Sequence, residues 1–153
     1  MKQLYPMVAI GLSSLTMAAH ACTYDGQFRN PFSESYPGAL DVAIATYEAL
    51  DNHEIKTIST LEGTQGLRRA SWWLQVLTEK HSNKIKPVSY VYLIDSHLWS
   101  QIDEEKRIAV HSAPVSDASH SVILLSEAAL SALIHEQVSF EQAIDLGIVQ
   151  FSG

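Results

Sequence analysis

Residues 117–153 read DASHSVILLSEAALSALIHEQVSFEQAIDLGIVQFSG, and this stretch decides the fold. Residues 119–125 form a β run, dominated by Val122-Ile123-Leu124-Leu125. Ser126 is a cap residue, and the helix it opens carries Leu130, Leu133 and Ile134. Ser139-Phe140-Glu141-Gln142 fits a capping box, in which a cap hydroxyl and a Gln three residues on satisfy each other's backbone N–H groups. The second, shorter helix carries Ala143, Ile144 and Leu146, and Gly147 stops it. Ile148-Val149-Gln150-Phe151 then runs out extended. The order is strand, helix, turn, helix, strand.

Working upstream, residues 88–94 alternate with period two. Val88, Tyr90, Tyr92 and Ile94 point to one side, and Val91 and Leu93 to the other. Both faces are apolar, so the strand is expected at the centre of a sheet, with helices or a ligand over each face. A tight turn at Asp95-Ser96 or Ser96-His97 leads to a returning strand over residues 98–102. Asp103-Glu104-Glu105 turns again into a third strand over residues 106–111. Residues 112–118, with Pro114, connect onward. Two helices precede the sheet. Over residues 40–50, Leu40, Ala43, Ile44, Tyr47 and Leu50 recur at threes and fours as one apolar stripe. Over residues 66–80 the inner face is Leu67, Ala70, Trp73 or Leu74, and Leu77, with Thr64 as the expected cap. Residues 55–61 are either strand or coil. The fold class is therefore α+β: a small, mostly antiparallel sheet with helices packed on it.

The run from Ser121 to Glu127, then Leu130-Ser131-Ala132-Leu133-Ile134, then residues 139–153 ending Gly147-Ile148-Val149-Gln150-Phe151-Ser152-Gly153, resembles the C-terminal part of sterol-carrier-protein-2-like (SCP2-like) domains. In that family an edge strand leads into a helix with paired Leu. A short helix with a central Ala follows, and then a Gly and a last apolar strand. The resemblance is closest over about 37 residues, extends to residues 86–153, and is absent before Lys86. It carries no catalytic residue. It implies an SCP2-like fold and a non-enzymatic role in holding a lipid or other hydrophobic molecule. The family often has a Gly between the two helices, where this chain has His135-Glu136-Gln137-Val138.

The beginning of the chain reads as a secretory signal over residues 1–21. Lys2 is followed by an apolar stretch from Met7 to Ala19, and Ala19-His20-Ala21 is an A-x-A cleavage site. Export to a periplasmic location is the expectation. Cys22, the single cysteine, would begin the mature chain; it is either lipidated, anchoring the protein, or a thiol, and it excludes an internal disulfide. Residues 22–38 form an arm with Tyr24, Phe28, Phe32 and Tyr36 spaced four apart. The arm either packs across the domain or recognises another protein. Residues 39–153 are then a single domain. The 153 residues carry a net charge of −7, and the few cations do not cluster, so the chain is a poor binder of nucleic acid or anionic membrane. No stretch of the mature chain is long enough to cross a bilayer.

Seven histidines invite a metal search, but His53, His81, His97, His111, His120 and His135 show no His-x-x-x-His spacing, and no metal or cofactor is expected. His111 and His120 are candidate cross-strand neighbours. There is no G-x-S-x-G elbow, and Gly63-Thr64-Gln65-Gly66 lacks the Lys of a phosphate loop. The expected function is an exported, non-enzymatic module with an apolar cavity between sheet and helices, lined by Trp72, Trp73, Tyr90, Tyr92, Trp99 and Leu130. Arg68 or Arg69 would anchor a carboxylate head group or pair with an acidic neighbour. The rival is an accessory protein with a filled core, docking on an envelope complex through its aromatic arm and Trp72.

Overall fold

The computed structural model describes residues 36–85, 88–114 and 120–153. The candidate signal, Cys22 and the arm up to Ser35 lie outside the described residues. The elements run α1 (Ala39–Asp51), α2 (Gly63–Lys80), β1 (Tyr90–Leu93), β2 (Leu98–Ile102), β3 (Ile108–Val110), β4 (Val122–Leu125), α3 (Glu127–Ile134), α4 (Phe140–Asp145) and β5 (Val149–Ser152). The five strands form one sheet in the order β3-β2-β1-β4-β5. Three of the four pairings are antiparallel and β1–β4 is parallel, so the fold is α+β with a mostly antiparallel sheet. β1 is central, as its two apolar faces require. β4 is an inner strand, flanked by β1 and β5. Among the described residues no helix is long and apolar enough to cross a membrane.

The sheet separates two apolar layers. One contains Val91, Leu93, Leu98, Ile123, Leu125 and Val149, packed under α2, α3 and α4. The other contains Tyr90, Tyr92, Ile94, Val122 and Leu124, with Ala39 and Val42 of α1. Val88 belongs to the first layer and not with Tyr90 as the alternation implied, because Val88 precedes the paired strand and turns back on Ile85. Residues 56–62 are coil.

All eight residues of α3 are buried. After Glu127, its sequence AALSALI offers apolar or small side chains in every direction, which suits a helix enclosed by the sheet, α2 and α4. Ser126 caps it by accepting from the Ala129 N–H (3.0 Å). The Ser139 capping box forms in both directions, with Gln142 N to Ser139 Oγ at 3.1 Å and Ser139 N to Gln142 Oε1 at 2.8 Å. Gly147 ends α4 in the left-handed region (φ 74°), and between the two helices that conformation falls to Glu136 (φ 56°).

Two helix readings are corrected. α1 does not bury the Leu40–Ile44–Tyr47 stripe. It buries Ala39, Val42, Thr46 and Ala49 instead, because small side chains let the helix lie close on the sheet. α2 begins at Gly63 with Glu62 at its cap position, so Thr64 is already inside the helix and caps nothing. Trp73 and Leu74 are both buried on its inner face.

Candidate functional site

Three of the six expected lining residues come together. Period-two alternation puts Tyr90 and Tyr92 of β1 on one face, and the β1–β2 register sets Trp99 directly opposite Tyr92. The Tyr92 and Trp99 rings are 4.5 Å apart, tilted by 31°. Tyr90 meets Trp99 edge-on at 6.3 Å. Tyr36, just before α1, completes the group at 5.2 Å from Trp99 and 6.0 Å from Tyr92. Centroid separations of this size are those of attractive aromatic pairs.

Two imidazoles border the rings. The Tyr92 hydroxyl and His97 Nδ1 share a hydrogen bond of 2.7 Å. His120 stacks edge-on against Tyr90 at 4.9 Å, and its buried Nε2 has no hydrogen-bond partner among the described residues. Tyr90 and Tyr92 are buried, whereas Trp99 and Tyr36 are only half-buried. The result is an aromatic shelf beside α1, with two ring faces partly open and polar groups at its rim. The sequence reading missed His97 and His120 as members. Tyr36 was legible only as the last of four aromatics in the arm.

The other three expected residues lie elsewhere. Leu130 and Trp73 are in the opposite layer, beneath α2 and α3. Leu130, Leu74, Leu93 and Leu98 there have no accessible surface, and side chains without accessible surface border no water-sized void. The sheet therefore divides Trp73 and Leu130 from the aromatic shelf. Trp72 is 59% exposed on α2.

Arg69 resolves as the partner of an acid. Its Nη2 is 3.0 Å from Glu127 Oε2, its Nη1 donates to Ser59 O, and its guanidinium lies 4.7 Å over the Trp73 ring. Glu127, buried at the start of α3, also donates its backbone N–H to both Asp95 carboxylate oxygens (3.1 and 3.0 Å). This polar knot joins α2, α3 and the β1–β2 turn. Arg68 is exposed.

His111 and His120 are not cross-strand neighbours, since β2 and β1 lie between β3 and β4. Among the described residues no cluster of three or more His, Cys, Asp or Glu is placed to hold a metal. His81, between α2 and α4, stacks on Phe140 at 5.3 Å. Burial pushes its pKa below the usual imidazole value, and its buried Nε2 has no hydrogen-bond partner among the described residues. Two surface clefts stand out among the described residues. One of about 540 Å³ runs between α2 and the β2–β3 turn, by Gln75, Glu79 and Arg107. The other, of about 440 Å³, lies by His81, Lys84 and Glu136. A charged pair lines each, Arg107–Glu105 in the first and Lys84–Glu141 in the second. No protein-family model and no curated protein matches the chain.

Proposed function

We propose that the protein is an exported, non-enzymatic module that holds a lipid or another hydrophobic molecule against the aromatic shelf of its sheet. One observation carries this reading: Tyr36, Tyr90, Tyr92 and Trp99 converge on a single sheet face, with two of the rings half-open. Apolar area supplies affinity for such a ligand, and the rim imidazoles and hydroxyls orient its polar end. The resemblance of residues 86–153 to SCP2-like domains supports the same role, and the signal-like residues 1–21 support export. Cys22 is then the candidate lipid anchor. The contact layer proposed here is the α1 side of the sheet, since the α2–α3 side is filled by its own side chains.

Native mass spectrometry on protein purified gently from the cells that make it tests the reading. The expected result is a reproducible added mass that organic solvent removes. Occupancy should fall about tenfold in Trp99→Ala, the equivalent of losing roughly 1.4 kcal/mol of ring contact. A bare mass for the unaltered protein, or equal occupancy in Trp99→Ala and Tyr36→Ser, overturns it.

A second reading, docking on an envelope protein, is favoured by one observation, the exposed Trp72. Large aromatics of this kind anchor protein interfaces. Under it Trp72→Ala loses a partner and leaves ligand occupancy unchanged.

A further inference from the structure

α1 is apolar on two opposite sides. Its inner side consists of small buried residues, Ala39 and Val42 in the Tyr90–Tyr92 layer, Thr46, and Ala49 in the layer under α2 and α3. Its outer side carries the larger ones: Leu40 is 55% exposed, Ile44 50% and Tyr47 71%. These three stand at i, i+4 and i+7, so they form one straight ridge about 10 Å long, with Ala43 beside it. Single exposed hydrophobics are ordinary on protein surfaces, but a contiguous ridge marks a contact site.

The charges that α1 itself carries have one sign. Asp41, Glu48 and Asp51 are exposed along the helix, and the sequence ALDVAIATYEALD contains no Lys or Arg. We propose that the outer face of α1 is a docking surface for a cationic amphipathic segment of a separate protein. The apolar residues of that segment would cover Leu40, Ile44 and Tyr47, and its Lys or Arg would meet the three acids. This is the spacing by which one helix reads another.

Charge complementarity selects this occupant over the others. Pairing α1 with α1 of a second copy would bring acids against acids, in a chain that already carries −7. An anionic membrane is repelled in the same way. A ridge of three large side chains is also small for a stable dimer and fits a transient contact. The proposal is independent of the aromatic shelf, which lies on the sheet and not on the outside of α1.

The test places a photoreactive benzoylphenylalanine at position 44 of the full chain, in the cells that make it, and sequences the cross-linked peptide. The expected product joins position 44 to a different polypeptide, at a segment with Lys or Arg flanking apolar residues at helical spacing. Its yield should fall at least about fivefold in the triple variant Asp41→Asn, Glu48→Gln, Asp51→Asn, since each contact depends on opposite charge. A cross-link to another copy, to residues 1–35 of the same chain or to lipid overturns the proposal. So does a yield indifferent to the triple variant, or no cross-link at all. Ile44→Ser provides a control on folding. Its melting temperature should match that of the unaltered protein, and a clear loss would mean that Ile44 packs within the domain and not at a docking face.

Discussion

His81 stacks on the Phe140 ring with its buried Nε2 unpartnered among the described residues, and its protonation is opposed by burial. Its folded-state pKa lies below the ordinary 6.5, so around and below that value the unfolded chain takes up a proton more readily than the folded one. Stability linked to His81 is therefore present above pH 6.5. It is lost as pH falls towards the folded pKa, and the loss is complete once both states are protonated. Glu136 and Glu141 are displaced downward by Lys80 and Lys84, and their contributions disappear only at more acidic pH, below 4.5. The two windows are separable. Thermal melts between pH 7.5 and 5.5 should show a declining midpoint, and His81→Gln should flatten that decline. Parallel curves for the two proteins would remove His81 as the cause.

Helix ends make a matched pair of backbone tests. Glu136 and Gly147 both hold positive φ, at 56° and 74°, after α3 and α4 respectively. A non-glycine residue is strained there, because Cβ crowds the carbonyl. Glu136→Gly should relieve that strain and raise the melting temperature by roughly 2–4 °C, less what the exposed Lys80 contact contributes. Gly147→Ala should cost about 1–2 kcal/mol in chemical denaturation, since a Cβ there would also stand 3.3 Å from that of Ala45. Changes of equal sign in the two variants would refute the argument. The same elements show what was readable in advance. The Ser126 and Ser139 caps were legible because a cap pairs a side chain with backbone two or three residues away. The inner face of α1 was not. Its large residues make the more obvious stripe, and only the closeness of the sheet selects Ala39, Val42, Thr46 and Ala49. The Tyr92–Trp99 pair followed from a local hairpin, whereas His120 joins the shelf through the parallel β1–β4 pairing, which no local pattern announces.

Across the whole molecule, the parallel β1–β4 pair is the seam that joins distant parts of the chain. β1 and β4 are both buried along their full length. The α2–α3 contact and the Arg69–Glu127–Asp95 knot likewise join residues far apart in sequence. β3 is the opposite case: three residues at the sheet edge, paired to β2 alone, with half-buried or exposed side chains. Opening β3 separates few apolar contacts, while opening β1 or β4 dismantles both layers. Native-state hydrogen exchange should therefore rank the amides by distance from the seam. Val91, Leu93, Ile123, Leu125 and the interior of α3 should exchange only through global unfolding, and the Ile108–Val110 amides at least about a hundredfold faster. β2 should fall between, and its protection matters for function because it carries Trp99. If a ligand lies on the aromatic shelf, its removal should speed exchange in β2 and leave α3 unchanged, since α3 is on the far side of the sheet. β3 as protected as β1 would refute the ranking. A ligand-dependent change confined to α3 would move the binding site away from the shelf.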